Sequence, residues 1–178
     1  MARLWRLRNN RPHPGPLSSR EREQSMSQLP DNPDALYGDV IMDHYRSPRH
    51  RQRLERPDAE AEEFNPFCGD RANLQLQVAG SVSNDAVIAG VSAVAEGCSI
   101  IQASASLLAD GVHGRTVDEA SDLSQLFRDL MQGKPLPPVA LEELGELGAL
   151  EVVRQYPVRI KCALLPWVAL EEGLRRLR

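Results

Sequence analysis

Beyond residue 58, apolar and polar residues alternate along the chain in the pattern of β-strands. Residues 72–78 place Ala, Leu, Leu and Val at every second position, which predicts a strand with one buried face. Turn-forming residues over 80–85 lead to an apolar run over 86–91, which predicts the second arm of a hairpin. A further strand-like block over 59–64 ends at an Asn-Pro turn. We therefore predict a small antiparallel sheet of about three strands.

Helical spacing of apolar residues precedes this block and fills the chain after Cys98. Asp34 is a suitable N-cap for the first helix, and Thr116 and Glu119 have the spacing of a capping box. Two glycines weaken the penultimate helix. The predicted helices cover residues 35–45, 99–110, 117–133, 141–153 and 161–177. Strands followed by helices predict an α+β fold, with a small antiparallel sheet packed against several helices.

Composition narrows the class of protein. The formal net charge is −4, which argues against nucleic acid as the main partner. No apolar run approaches the ~18 residues that span a membrane, so we expect no membrane partner. An odd number of cysteines, three, argues against a disulfide framework when no signal peptide is evident. We therefore expect a cytoplasmic protein with metal-bound or reactive thiols.

Residues 1–25 differ from the rest of the chain in charge and composition. They hold six arginines and two glutamates, a net +4, which leaves −8 for residues 26–178. Because this stretch is also rich in proline, we predict a disordered tail over residues 1–33 and one domain over 34–178. The tail is open to two interpretations, an organelle transit peptide or a start codon assigned too early. We favour the second, with Met26 as the true start.

Each cysteine lies at a predicted turn or element boundary. In Cys68-Gly69-Asp70 the glycine lets the backbone turn, so that thiol and carboxylate can face one point. Asp70 is open to a second interpretation, because Asp often stabilises its own turn. Cys98 opens a predicted helix, where backbone dipoles favour thiolate, although a small core residue would fit there too.

Cys162 follows two cations, Arg159 and Lys161, that also favour thiolate. Three thiolates and one carboxylate would make a tetrahedral zinc site with a net charge of about −2. Arg71, Arg159 and Lys161 would offset part of that charge, unless they are solvated surface cations. The spacing contains no CxxC pair, so spacing alone does not identify zinc. A Cys–His hydrolase would need His44 or His113 beside a cysteine, and nothing in the sequence places them there.

Taken together, these motifs resemble the NifU N-terminal/IscU/SufU family of iron–sulfur cluster biogenesis. The resemblance covers roughly residues 34–173. Two features are those of the SufU subtype: Lys161 stands where IscU has a histidine, and the segment between the second and third cysteines is longer. The motifs are Leu36-Tyr37-x-x-Val40-Ile41-x-Asp43-His44-Tyr45, Asn65-Pro-x-Cys68-Gly-Asp70-Arg71, Glu96-Gly-Cys98-Ser99, Met131-Gln132-Gly133-Lys134 and Arg159-Ile-Lys161-Cys162-Ala163.

The resemblance implies a SufE/NifU-like fold and a zinc-dependent sulfurtransferase. The implied zinc ligands are Cys68, Asp70, Cys98 and Cys162, and the implied sulfur acceptor is Cys68. The implied donor is a SufS-type cysteine desulfurase, which carries its own pyridoxal phosphate, and downstream iron–sulfur assembly proteins receive the sulfur. Two alternatives stay open. One is a scaffold on which a 2Fe–2S cluster is assembled on the same residues, and the other is a zinc-stapled adaptor without chemistry.

Overall fold

The computed structural model describes residues 33–80, 83 and 85–177, and its elements follow the predicted order. Within these residues one helix precedes three strands, and four further helices and one 3₁₀ helix follow them. The elements are α1 (Pro33–Arg46), β1 (Ala59–Phe64), β2 (Arg71–Ala79), β3 (Val87–Glu96), α2 (Ser99–Val112), α3 (Val117–Met131), α4 (Pro138–Leu144), the 3₁₀ helix (Gly145–Gln155) and α5 (Pro157–Arg176).

The three strands form one antiparallel sheet in the order β1-β2-β3. The predicted α+β fold and its three-stranded sheet are confirmed. β3 continues to Glu96, five residues beyond the predicted end, and pairs there with Arg71 at the start of β2. The register of β2 against β3 shifts between Gln77 and Val78, close to the predicted hairpin turn. The paired ends of β2 and β3 therefore bring residues 70 and 97 to the same end of the sheet.

The two edges of the sheet are covered in different ways. Along β3, backbone hydrogen bonds join the strand to neighbouring loops: Ala93 N–H donates to His50 O at 2.7 Å, and Ile88 N–H donates to Arg115 O at 2.8 Å. β1 forms the other edge and carries three glutamates in six residues. The Arg176 side chain donates a hydrogen bond to the Glu60 carbonyl on this strand.

Helices α2 and α5 pack on one face of the sheet and form the core with it. The β2 side chains of that face are all buried. Gly173 lets α5 approach closely, since a Cβ atom there would lie 3.3 Å from Leu76. Phe127 and Trp167 stack with ring centroids 4.4 Å apart and fill the space between α3 and α5. The buried β2 side chains are Ala72, Leu74, Leu76 and Val78.

The helices differ from prediction at glycines. Gly38 has φ 78° and ψ 166°, which breaks α1 where we predicted a continuous helix. The predicted helix over 141–153 is instead two elements, because Gly145 adopts φ 50° and separates α4 from the 3₁₀ helix. Helix α2, in contrast, continues through Gly111, which packs against Leu123. A glycine therefore ends or bends a helix where its φ is positive, and is tolerated where the helix needs close packing.

The helix ends are otherwise close to prediction. The Thr116–Glu119 capping box of α3 is present in both directions. Helix α1 begins at Pro33, so Asp34 lies in its first turn and is not its N-cap. The predicted tail lies, apart from Pro33, outside the described residues and stays a prediction. No helix in the described part of the chain is long and apolar enough to cross a membrane.

Candidate metal centre

The loop between β1 and β2 presents Cys68 and returns the chain at Asp70. Asn65 N–H donates to Asp70 O at 2.8 Å, and Gly69 N–H donates to Asn65 O at 2.9 Å, which closes the turn. Gly69 has φ +76°, a left-handed conformation that costs glycine least. Cys68 is exposed at the tip, whereas Asp70 is only 3% exposed.

Cys68, Asp70 and Cys162 converge although they come from distant parts of the chain. The two Sγ atoms and a carboxylate oxygen of Asp70 all lie within 4.8 Å of one another. Cys162 is buried in the second turn of α5. Burial raises the pKa of the Cys162 thiol, and its hydrogen bond with Asp70 and the neighbouring Cys98 raise that pKa further. A cation at this point would therefore be needed to make Cys162 a thiolate at neutral pH.

Cys98 lies beside this group of three without completing it. It is the N-cap residue of α2 and is half-buried. Its thiol interacts with that of Cys162. The predicted helix N-terminus is therefore confirmed for Cys98, and the structure places its side chain next to one of the other cysteines.

Asp70 is held in a pocket that leaves one of its oxygens without a hydrogen-bond partner. Oδ2 is buried and unpaired among the described residues. Gly97 supplies the space, because a Cβ atom there would lie 2.2 Å from Asp70 Oδ1, and its φ is +140°. An unpaired, buried carboxylate oxygen is costly, and a divalent cation would satisfy it. Thiolate sulfur and carboxylate oxygen are ligands that zinc accepts, so the residues present fit this metal.

The three cations singled out in the sequence each stack on an aromatic ring. Arg159 lies 5.7 Å from the centroid of Tyr37, Lys161 lies 5.7 Å from that of Phe67, and Arg71 lies 5.5 Å from that of Phe64. Arg71 also pairs with Glu62 at 3.2 Å. Whether these cations offset the charge of a bound metal stays a prediction.

Tyr37 stands in the first of the family motifs, but the sequence analysis gave it no role in the site. Its ring is 7% exposed and meets Tyr156 edge-on at 6.2 Å. Burial raises the pKa of the Tyr37 hydroxyl, Arg159 opposes that shift, and the charges of Cys98 and Cys162 reinforce it. Tyr37 therefore belongs to the surroundings of the thiols.

The histidines of the described residues contact polar side chains and one another. His44 is buried, with Nδ1 2.8 Å from Ser106 Oγ and Nε2 3.3 Å from Glu146 Oε2. His113 lies beside His50, with ring centroids 5.4 Å apart. None of these contacts involves a cysteine.

Solved structures with the same fold include proteins of iron–sulfur cluster assembly. The crystal structure of FiSufU from the thermophile Fervidobacterium islandicum AW-1, a candidate scaffold protein for the SUF system, matches with a TM-score of 0.69 and 29% identity. The match covers 80% of this chain and 99% of that one.

Two of the sequence relatives carry names that imply different functions. The chain is 41% identical over 145 residues to the zinc-dependent sulfurtransferase SufU of Bacillus subtilis (strain 168), which covers 82% of this chain and 93% of that protein. It is 37% identical over 141 residues to the iron–sulfur cluster assembly scaffold protein IscU of Streptococcus pyogenes serotype M1, covering 79% and 84%. The family model for the NifU-like N terminal domain matches residues 36–163. The chain therefore belongs to the NifU-like N-terminal domain family.

Proposed function

We propose that this chain is a zinc-dependent sulfurtransferase of iron–sulfur cluster biogenesis that works in the cytoplasm. In this proposal Cys68 accepts persulfide sulfur from a SufS-type cysteine desulfurase and passes it to downstream iron–sulfur assembly proteins. The observation that carries the proposal is the convergence of an exposed thiol, Cys68, with the buried Asp70 and Cys162. The 41% identity to the sulfurtransferase SufU of Bacillus subtilis supports it.

The proposed zinc ligands are Cys68, Asp70, Cys98 and Cys162. Zinc, when bound, supplies the positive charge that keeps its thiol ligands deprotonated. The unpaired Asp70 Oδ2 supports this assignment, because a buried carboxylate oxygen needs a partner of that kind. Cys98 and Cys162 are fixed by helices α2 and α5, whereas Cys68 lies in a turn.

The sulfur-transfer step requires a thiolate that a donor protein can reach. The Cys68 thiolate attacks the outer sulfur of the donor's cysteine persulfide, so a new S–S bond forms on Cys68. The S–S bond of the donor breaks, and its cysteine leaves as a thiolate. Thiol and persulfide exchange places, so no external oxidant or reductant is consumed. Of the three cysteines only Cys68 is exposed, which makes it the acceptor that fits this step.

A cluster scaffold is the second candidate, and the identity to IscU of Streptococcus pyogenes favours it. The same three sulfurs and one carboxylate would then hold a 2Fe–2S cluster as cargo. Metal analysis of the purified protein separates the two functions. Stoichiometric zinc and no visible absorption support the transferase, whereas iron with a sulfide-to-iron absorption band supports the scaffold.

The acceptor assignment is tested by Cys68→Ser, which keeps the size of the side chain but cannot carry persulfide sulfur. Purified protein is incubated with a SufS-type cysteine desulfurase and cysteine, and the modified peptides are identified by mass spectrometry. We expect one added sulfur on Cys68 of the wild type and none on the variant, with the same far-ultraviolet circular dichroism. Val139→Ala, a change at an exposed residue of α4, is the control and should take up sulfur normally. Sulfur found only on Cys98 or Cys162, with Cys68→Ser fully active, would contradict the assignment.

A further inference from the structure

Large apolar side chains are exposed around Cys68. Phe67, its immediate neighbour, is 91% exposed, and Phe64, where the loop begins, is 50% exposed. On α5, Val158 is 80% exposed and lies one helical turn before Lys161, on the same face. Single exposed apolar residues are ordinary, but several beside one reactive thiol indicate a surface that another molecule covers.

Two cations of this region lie over the rings of Phe64 and Phe67. Lys161 lies over Phe67 and Arg71 lies over Phe64, so each ring carries a positive charge at its face. Arg71 also pairs with Glu62 at 3.2 Å, whereas Lys161 is exposed and forms no ion pair with a described residue. An exposed cation without an ion pair, beside the acceptor thiol, favours a partner surface that carries carboxylates.

We propose that Phe64, Phe67, Val158, Arg71 and Lys161 form the docking surface for the protein that delivers sulfur to Cys68. This inference rests on the proposed function, and it adds the chemistry of the partner surface that contacts this chain. The partner presents an apolar pocket bordered by carboxylates. Phe67 enters the pocket as the anchor, and Lys161 pairs with the carboxylates of the border.

The position of Phe67 suits an anchor. It is at the tip of a turn closed by hydrogen bonds, since its own N–H donates to Asn65 Oδ1 at 3.1 Å. The partner therefore meets a ring whose backbone is already ordered, and little conformational entropy is lost on binding. Burying an exposed aromatic ring at the centre of an interface typically makes it a major contributor to affinity. Because Phe67 and Cys68 are adjacent, seating the ring also brings the thiol to the donor sulfur.

The test compares Phe67→Ala with Val139→Ala as the matched control. Both remove an exposed apolar side chain, but Val139 is on α4 and outside the proposed docking surface. The zinc-loaded full-length proteins are titrated against a SufS-type cysteine desulfurase with excess cysteine, and the concentration that gives half-maximal sulfur uptake is measured. We expect that concentration to rise about tenfold or more for Phe67→Ala and to stay unchanged for Val139→Ala.

Further readouts separate docking from chemistry. The rate at which Cys68 reacts with a small disulfide, the zinc content and the circular dichroism should match the wild type in Phe67→Ala, because the ring is almost fully exposed. Lys161→Gln should weaken the salt dependence of half-saturation, since one charge of the docking surface is gone.

Several outcomes would overturn the docking surface while leaving the proposed function intact. One is normal half-saturation by Phe67→Ala together with normal sulfur uptake. Another is a wild-type dimer that Phe67→Ala makes monomeric, with sulfur uptake unchanged, since a second copy would then cover the surface. A wild-type protein that takes up no sulfur from the desulfurase, although Cys68 reacts with small disulfides, would instead overturn the proposed function.

Discussion

Asp70 combines burial with an unpaired oxygen, which gives this single residue an unusual energetic role. Leaving a buried acceptor without a partner costs roughly 1–3 kcal/mol, and more when the group is charged. The metal-free fold therefore retains a destabilising feature that the proposed zinc would remove. The main chain at this residue has a separate function, because its carbonyl closes the loop through Asn65 N–H.

Asp70→Ala should therefore affect the metal more than the fold. We expect the free energy of unfolding of the metal-free protein to change by no more than about 1 kcal/mol, because loss of the unpaired oxygen offsets loss of the hydrogen bond to Cys162. Zinc retention against a chelator should fall clearly, and sulfur transfer should change with it. Urea unfolding and chelator competition measure the two effects. If zinc retention and sulfur transfer both matched the wild type, Asp70 would be only a turn residue.

Gly97→Ala tests the same carboxylate without altering any proposed ligand. The new methyl group would occupy the space of Asp70 Oδ1, and the φ of +140° is unfavourable for alanine. We expect lower zinc retention and a loss of about 2 kcal/mol or more in the free energy of unfolding.

The control is Gly69→Ala, where φ is also positive but no atom lies within 4 Å of the added methyl group. Backbone strain alone should cost this variant about 1 kcal/mol, with less effect on zinc. Equal zinc retention in the two variants would show that the contact between Gly97 and Asp70 has no role in metal binding.

At the residue scale, the sequence predicted those features of the site that depend on local turn residues. Gly69 beside Cys68 indicated the turn, and the structure places Cys68, Asp70 and Cys162 together. The role of Tyr37 was missed because its contact with Arg159 and its electrostatic interaction with the thiols depend on packing between distant elements, which the pattern of one helix does not contain.

Among the elements, α2 and α5 are joined by a buried hydrogen-bond network next to Cys162. Ser104 Oγ donates to the Ala163 carbonyl at 2.7 Å and accepts from Trp167 Nε1 at 3.2 Å. Pro166 has no N–H to donate within α5, so the helix is weakened just where this link is made. The network therefore fixes α5, and Cys162 with it, against the helix that begins after Cys98.

Ser104→Ala should destabilise the protein by about 2–3 kcal/mol, because it leaves a buried carbonyl and a buried indole N–H without this partner. Ser92→Ala is the matched control, since its hydroxyl is equally buried but has no hydrogen-bond partner among the described residues. We expect that variant to be neutral or slightly stabilised. Urea unfolding measures the free energy of unfolding of both variants. A similar decrease in the two would show that the network around Ser104 contributes nothing specific.

The elements themselves were predictable wherever one local signal dominated. The alternation of apolar and polar residues predicted the strands, and the capping box predicted the start of α3. The split into α4 and a 3₁₀ helix was not predictable, because apolar spacing over residues 141–153 is similar for both kinds of helix. Only the backbone angle of Gly145, which the sequence permits but does not require, distinguishes them.

On the scale of the whole molecule, the proposed ligands join the beginning, middle and end of the domain. Cys68 lies between β1 and β2, Cys98 lies at the junction of β3 and α2, and Cys162 lies in α5. The site therefore depends on the complete sheet and on both helices that cover it. None of the elements that supply the ligands lies within residues 1–25.

Deletion of residues 1–25 should leave the working protein intact. We expect an unchanged unfolding midpoint, unchanged zinc content and unchanged sulfur uptake, because all proposed ligands and the described core lie after this segment. Thermal unfolding and the mass-spectrometric sulfur assay measure these properties for both lengths of chain. A clear fall in either would show that the segment is part of the functional protein.

The covering of the two sheet edges bears on how the protein behaves when it is crowded. A strand edge with free N–H and C=O groups is a template on which further chains can add as β-strands. The β3 edge is engaged by loops of its own chain, and the β1 edge carries charged side chains and has its Glu60 carbonyl occupied by Arg176. Aggregation by edge-to-edge pairing is therefore disfavoured at both edges of the sheet. The phenylalanines near Cys68 can thus stay exposed for a partner while the sheet itself does not promote fibril formation.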